Sequence, residues 1–245
     1  MLYTACAQVC LPLCMDFVEG EILAFDKPYR WTSFDVIGKA RWLLCNRLGV
    51  KKLKVGHSGT LDPLATGVVV VCTGKKTKLI DQLQAHQKEY VATLQLGATT
   101  PSFDLEKEID ATYPTEHITR ALIDKVIPSF EGEQWQVPPI FSAVKVDGKR
   151  AYKLARQGAE VELKAKLLVI DEIEILEFNA ATMQLTLRIV CSKGTYIRAL
   201  ARDIGRKLDS GAHLIALRRT RVGDIRVEDC MTFEQFTTLI DNEIK

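Results

Sequence analysis

The chain has 245 residues, of which 47% are hydrophobic and 26% are charged, and its formal net charge is +2. This composition is typical of one large globular domain and argues against disorder, collagen-like repeats and a coiled coil. Charged residues interrupt every apolar stretch before the roughly 18 residues that a membrane span needs. We therefore expect a soluble protein with no membrane partner.

Residues 1–14 contain no Lys or Arg, so the positive region that opens a signal peptide is missing. We interpret them as a disordered leader or an upstream extension, with Met15 as the alternative start. Three of the seven cysteines lie in this leader, and no C-x-x-C pair occurs anywhere in the chain. Reduced cysteines in a cytoplasmic protein are the expectation that follows.

A helix is predicted over 33–48, with Ser33 as its N-cap and apolar residues at helical spacing. Further helices are predicted over 116–126 and 151–156, and after Gly194. Short β-like runs cover 21–25, 68–72, 90–96, 167–178 and 183–191. Because the strands come in neighbouring groups, the pattern favours an α+β domain with a mixed, mostly antiparallel sheet flanked by helices.

Charge is distributed unevenly along the chain. Residues 39–78 carry nine basic residues and one acidic residue, and residues 145–226 carry 17 basic and 10 acidic residues. The segment between these two basic blocks is acidic. The pattern indicates a positive surface that suits a phosphate polyanion such as a nucleic acid, although solvated lysines that are merely unevenly distributed would look the same.

Several familiar chemistries are excluded by spacing. Gly74-Lys75-Lys76-Thr77 is not a Walker A loop, because Lys76 stands where Ser or Thr is needed. The chain contains neither G-x-S-x-G nor G-x-G-x-x-G. Its four histidines do not approach ligand spacing with each other or with a cysteine, so no metal site is expected.

The segment 56–67, GHSGTLDPLATG, precedes a run of four valines. Its glycines allow close backbone approach or positive φ, and Pro63 biases Asp62 toward an extended conformation. The pattern predicts a single carboxylate on a constrained loop at the edge of a sheet, with His57 nearby. A purely structural Asp-Pro turn is the alternative.

Further motifs follow in order over about residues 21–226: Asp26-Lys27-Pro28 with Thr32-Ser33, the loop 56–67, Lys88-Glu89-Tyr90, the segment 138–145 with Gly148 and Tyr152, the segment 191–198, and Gly211 to Leu214 with Leu217 to Thr220. Together they resemble the tRNA pseudouridine-55 synthases of the bacterial TruB type. The resemblance implies the pseudouridine synthase fold and the isomerisation of uridine-55 in the T loop of tRNA, without a cofactor.

The resemblance also implies residue roles. Asp62 matches the catalytic aspartate, although sequence leaves open whether it attacks the base, attacks the sugar or removes a ribose proton. Arg198 matches the arginine that pairs with it and would keep it ionised in a dry pocket. Tyr90 matches the aromatic residue on which the target base stacks.

Extrusion of the uracil from the folded loop requires a residue to fill the gap, and His57 matches that residue. The other substrate- or RNA-binding positions that the resemblance implies are Tyr196, Leu217, Gly59, Lys27 and Lys145. Tyr196 and Leu217 would line the uracil pocket, whereas Lys27 and Lys145 would have basic or structural roles.

For domain organisation we expect a catalytic domain over 15–226 and a short helical tail over 227–245, too short for the RNA-binding PUA domain of many relatives. The partner would be the T stem-loop of tRNA, bound by a monomer that needs no protein partner. A second role in assisting tRNA folding stays open. The alternatives are an RNA-binding protein or chaperone that does not depend on catalysis, and a domain that binds another phosphate ligand.

Two positions depart from the family pattern. Arg30 stands where the family usually has Gly, so the turn there must differ or be built without positive φ. Pro101 stands where an acidic residue is expected after Thr100, which leaves the conformation of the following loop open.

Overall fold

The computed structural model describes residues 15–142, 144–146, 148–151 and 163–243. The expected leader over 1–14 lies outside the described residues. So does all of the helix predicted over 151–156 except Ala151, together with Tyr152 of the motif. Lys145 lies in a described strand, but its side chain is outside the description.

A nine-stranded sheet forms the centre of the described fold. The described strands are β1 Ile22–Lys27, β2 Val55–His57, β3 Thr66–Thr73, β4 Lys88–Leu96, β5 Ala98–Thr99, β6 Ala111–Thr112, β7 Gly132–Gln136, β8 Lys145–Val146, β9 Lys149–Arg150, β10 Lys166–Asn179, β11 Gln184–Cys191, β12 Ala212–Val222 and β13 Ile225–Arg226. The spatial order of the strands in the central sheet is β1, β3, β12, β4, β11, β10, β7, with β2 beside β3 and β13 beside β12. Strands β12 and β3 pair in parallel, and the other pairs in this sheet are antiparallel.

Helices flank the sheet, which confirms the predicted α+β class with a mixed, mostly antiparallel sheet. The described helices are α1 Ser33–Leu48, α2 Ile80–Ala85, α3 Arg120–Val126, α4 Ile197–Lys207 and α5 Phe233–Glu243, with 3-10 turns at Gly74–Leu79, Ile127–Phe130 and Val227–Asp229. The helix predicted over 116–126 begins later than expected, because Thr119 is its N-cap and accepts a hydrogen bond from the Leu122 amide.

The N-cap of α1 is Thr32, so the prediction of Ser33 was wrong. Thr32 and Asp35 form a capping box: the Thr32 hydroxyl accepts from the Asp35 amide at 3.0 Å, and the Asp35 carboxylate accepts from the Thr32 amide at 2.7 Å. Ser33 is buried instead, and its hydroxyl contacts the backbone of Leu61. This contact ties α1 to the loop that carries Asp62.

Aromatic side chains join the two ends of the described chain in the core. The Phe25 ring of β1 stacks on Phe233 of α5 with centroids 4.9 Å apart, and Phe236 meets Phe25 edge-on at 5.1 Å. Phe25 and Phe236 are fully buried, and burial of such a side chain contributes about 1.5–3 kcal/mol. Helix α5 therefore completes the core beside β1.

No helix in the described ranges is both long and apolar enough to span a membrane.

Candidate active site

Asp62 lies in the loop between β2 and β3, and contacts on both sides fix that loop. Ser33 donates from its hydroxyl to the Leu61 carbonyl at 3.2 Å and accepts from the Leu61 amide at 2.8 Å. On the other side, the Arg30 amide donates to the Pro63 carbonyl at 2.8 Å. The loop is therefore held to the segment 30–33 immediately before and after Asp62.

Asp62 and Arg198 form a two-point ion pair. Arg198 donates from Nε to one carboxylate oxygen at 2.8 Å and from Nη2 to the other at 3.3 Å. The Arg198 side chain is 6% exposed, but that of Asp62 is 36% exposed. About a third of the Asp62 side chain is therefore exposed to solvent in this structure, whereas its partner is buried.

Arg198 also donates to two backbone carbonyls and lies beside a second carboxylate. Nη1 donates to the Ser102 carbonyl at 3.2 Å, and Nη2 donates to the Phe141 carbonyl at 3.1 Å. A carboxylate oxygen of Asp104 lies 3.5 Å from Nε. Because a guanidinium is planar and rigid, these contacts fix the direction from which it meets Asp62.

Asp104 is a site residue that the sequence did not indicate. The loop after Thr100 lacks the expected acidic residue at Pro101, yet it brings Asp104 to Arg198. Thr100 donates from its hydroxyl to the Asp104 carbonyl at 2.7 Å, and Phe103 adopts a positive φ of 59° between them. No spacing rule could have found this contact, because it depends on the turn at Phe103.

A small pocket opens beside the ion pair and contains one of the two residues expected around the uracil. Leu217 lines it together with Asp62 and Arg198, and Leu64, Asp104 and Leu105 complete part of the wall. Tyr196 lies directly before α4, where its amide donates to the Gln136 side chain at 2.9 Å. Burial raises the pKa of Tyr196, so its phenol is protonated at neutral pH.

Tyr90 lies on β4, directly opposite Arg219 of β12. Burial raises its pKa, so the side chain is a neutral phenol. Only 8% of the residue is exposed in this structure. A base can therefore stack on the ring only if neighbouring groups move.

His57 ends β2 and is held from two directions. Its Nδ1 accepts from the Gly59 amide at 3.2 Å, and the exposed Phe34 ring meets the imidazole edge-on at 5.5 Å. Burial, followed by the charge of Arg219, lowers the pKa of His57. The ring is therefore neutral at pH 7, and since Nδ1 accepts, its hydrogen lies on Nε2.

Lys27 is fully buried at the end of β1. Its ammonium donates to the carbonyls of Trp31 at 2.6 Å, Pro28 at 3.1 Å and Pro63 at 3.3 Å. All three donors are thus used inside the protein. Of the basic and structural roles left open by the sequence, this geometry favours the structural one.

In the described ranges, no group of three or more His, Cys, Asp or Glu residues could hold a metal ion.

Exposed lysines cluster along a shallow cleft beside the 3-10 turn Gly74–Leu79. Lys52, Lys54, Lys75 and Lys78 line this cleft. Lys75 is paired with Glu19 at 2.7 Å.

Comparison with known proteins identifies the family. Residues 46–197 match the N-terminal domain of the TruB family of pseudouridylate synthases, and residues 198–244 match the C-terminal domain of tRNA pseudouridylate synthase B. The chain belongs to the TruB family. The TruB-family C-terminal match begins at Arg198, so the residue that contacts Asp62 stands at the junction of the two matched regions.

Relatives of this TruB-family chain cover almost its whole length. A tRNA pseudouridine synthase B of Phocaeicola vulgatus is 66% identical over 94% of this chain and 97% of its own. That of Flavobacterium johnsoniae is 50% identical over 90% and 96%. Among solved structures, a Cbf5-Nop10-Gar1 complex matches with a TM-score of 0.65 and 29% identity, over 91% of this chain and 54% of the solved chain. An H/ACA RNP bound to a substrate RNA containing 2′-deoxyuridine matches with a TM-score of 0.63 and 28% identity, over 91% and 53%. This chain thus spans about half the length of these solved chains, and the likeness confirms the pseudouridine synthase fold.

Proposed function

We propose that this TruB-family enzyme isomerises uridine-55 in the T loop of tRNA to pseudouridine, with Asp62 as the catalytic carboxylate. The observation that carries the proposal is the two-point ion pair between Asp62 and Arg198 at the pocket lined by Leu217. Substrate specificity is supported by the relatives, which are named tRNA pseudouridine synthase B.

The reaction breaks the bond between N1 of uracil and C1′ of ribose and forms a bond between C5 and C1′. The hydrogen on C5 is lost, and N1 gains one, so the product is an isomer and no oxidant or reductant is needed. One carboxylate can serve by attacking the base, attacking the sugar or removing a ribose proton. In each route Arg198 holds the carboxylate in a fixed direction.

The target base must leave the folded loop before it reaches this pocket, and unstacking costs a few kcal/mol. His57 is placed to occupy the vacated position, with Phe34 supporting its ring. Tyr90 would stack on the flipped base, and Tyr196 with Leu217 would surround it. Gly59 orients His57 through its amide.

The exposed lysines beside the 3-10 turn support RNA binding through phosphates, together with the basic block 39–78.

We further propose that residues 15–226 form the catalytic domain and that a helical tail follows it. In this proposal the protein acts in the cytoplasm as a monomer without a protein partner. No cofactor is required in this proposal. The side chain of Lys145 is assigned a basic or structural role only from the resemblance.

The deciding experiment uses a synthetic T stem-loop with tritium on C5 of its uridines. Incubation with the protein should release tritium from uridine-55, and replacement of that nucleotide by cytidine should abolish release. Whole tRNA with the same replacement is the matched control. Release that persists after the replacement would show that another uridine is the target and would overturn the site assignment within tRNA.

A further inference from the structure

Arg219 is a buried cation on β12 that donates to three backbone carbonyls. The residue is 3% exposed. Its Nε donates to the Val68 carbonyl at 2.7 Å, its Nη2 to the Gly59 carbonyl at 3.2 Å and its Nη1 to the Thr60 carbonyl at 3.4 Å. Burial of a charge costs several kcal/mol unless its donors are satisfied, so these three carbonyls are needed to keep the guanidinium there.

Two of these carbonyls belong to the loop that carries Asp62. Gly59 and Thr60 precede the aspartate by three and two residues, and the amide of Gly59 also donates to Nδ1 of His57. The φ of Gly59 is 136°, a conformation that residues with a Cβ rarely adopt. One guanidinium therefore fixes the backbone that sets both the imidazole and the carboxylate.

Arg219 also faces Tyr90. The two residues lie directly opposite each other in the antiparallel pair of β4 and β12, so their side chains share one face of the sheet. The Arg219 charge opposes the effect of burial on the pKa of Tyr90. After burial, the Arg219 charge is also the next cause that lowers the pKa of His57.

The backbone of Arg219 cannot shift freely. A Cβ on Gly67 of β3 would lie 2.1 Å from the Arg219 carbonyl oxygen and 2.8 Å from its amide nitrogen. Only glycine therefore permits this approach of β3 to β12. The side chain of Arg219 therefore extends to the loop from a backbone position that is fixed in the sheet.

We propose that Arg219 is a positioning residue that aligns the Asp62 loop, His57 and Tyr90 with one another for base flipping and isomerisation. It acts on the backbone of the loop and on Tyr90, which it faces across the strand pair, and it does not contact the reacting atoms. A lysine would keep the charge but could not bond the three carbonyls in the fixed geometry of a guanidinium. The inference rests on the proposed function of the site.

The test compares Arg219→Lys with Arg188→Lys. Arg188 lies on β11 opposite Val91, which places it on the other face of the same sheet, where Glu89, Glu172 and Glu174 neutralise its charge. We expect Arg219→Lys to lower kcat on the T stem-loop about 100-fold, as a misplacement of about 1 Å would. KM and RNA affinity should stay close to those of Arg188→Lys.

Two readouts separate positioning from simple stabilisation. Millimolar guanidinium should raise the activity of Arg219→Ala at least tenfold. It should leave the activity of Arg188→Ala unchanged. Amide hydrogen exchange over 58–62 should accelerate at least tenfold in Arg219→Lys and stay unchanged in Arg188→Lys, a result that does not require activity. Unchanged exchange, a kcat within threefold of wild type, or a loss of RNA affinity parallel to that of kcat would each overturn the inference.

If Arg219→Lys and Arg219→Ala fail to fold while both Arg188 variants fold, the role of Arg219 is purely structural and the inference is also overturned. The proposed function fails separately. A wild-type protein that is inert on T stem-loop and tRNA would contradict that function, while the exchange result would still decide whether Arg219 fixes the loop.

Discussion

Arg198 meets Asp62 across 136 residues of sequence, with one donor on each carboxylate oxygen at 2.8 and 3.3 Å. The guanidinium is simultaneously fixed by the carbonyls of Ser102 and Phe141. Arg198 thus reaches the carboxylate from a buried frame, whereas Asp62 itself is open to solvent and to substrate. This asymmetry is suited to a carboxylate that reacts while its partner stays in place.

Asp62→Asn should lower turnover roughly 10²–10⁴-fold or more, since it removes a nucleophile or base while keeping the size of the side chain. Binding of tRNA should stay within about tenfold of wild type, because we propose that exposed lysines, and not Asp62, bind the phosphates. Single-turnover tritium release and filter binding measure the two quantities. A variant that keeps a substantial fraction of wild-type turnover would contradict the assignment of Asp62.

Arg198→Lys should lower kcat by about 10²–10³, because an ammonium cannot replace two aligned donors in this site. KM for the T stem-loop should change little. Arg206→Lys, an exposed position near the end of the same helix, is the matched control and should behave as wild type. Equal kinetics for the two variants would show that the guanidinium geometry at Arg198 is unimportant.

Tyr90→Leu should reduce kcat more than tenfold and leave RNA affinity within about threefold. The flat ring is needed for stacking, worth about 1–3 kcal/mol, only after the base has left the loop. Tyr90→Phe keeps the ring and should retain most of the activity. Comparison of kcat and Kd for the two variants checks this, and a larger loss in Tyr90→Phe would point to the hydroxyl instead.

The sequence predicted the features that depend on local patterns. Strand alternation located most of the sheet, and the Gly-rich segment around Asp62 indicated a constrained loop, as observed. By contrast, β12 was not predicted as a strand, because its arginines at 218, 219 and 221 obscure the alternation. The sequence did not indicate the contacts of Asp104 and Arg219, because each joins residues that are far apart in the chain and meet only in the folded protein.

The helix cap shows how a local signal can mislead. Thr32 and Ser33 are both good N-caps, and the sequence alone gave no reason to choose the first. The choice is decided in three dimensions, where Leu61 uses the Ser33 hydroxyl and Asp35 uses Thr32. The turn at Arg30 is likewise decided by the folded structure, because the residue type alone does not indicate its positive φ.

Arg30→Gly should stabilise the protein. Arg30 has a φ of 68°, so the turn keeps a left-handed conformation despite its side chain. Of the two alternatives, a different turn or one built without positive φ, the second is therefore wrong. This conformation costs a residue with a Cβ roughly 1–2 kcal/mol, and the flexibility of glycine in the unfolded chain offsets part of the gain. We expect a net increase of about 0.5 kcal/mol in the free energy of unfolding, measured in urea. Arg30→Ala keeps the strain and should show no increase; equal stabilisation by both would refute this explanation.

Lys27 should make folding stability depend on pH. Burial lowers its pKa from 10.5 to about 8 in the folded protein. Between these values the unfolded chain binds more protons than the folded chain, so the contribution of Lys27 to stability increases as pH rises from about 8 to 10.5. Lys27→Met lacks this titration. The free energy of unfolding of wild type, relative to that of Lys27→Met, should therefore increase as the pH rises across this window. A difference that does not depend on pH would contradict a buried charge at Lys27.

The packing of Phe233 and Phe236 against Phe25 has a consequence for biosynthesis. Strand β1 leaves the ribosome early, but the aromatic surface that covers it is translated more than 200 residues later. Until then the segment that holds Lys27, and through it the Asp62 loop, lacks its final support. The nascent chain therefore exposes the phenylalanine of β1 until α5 has been synthesised, and the reactive centre gains its final support only after that.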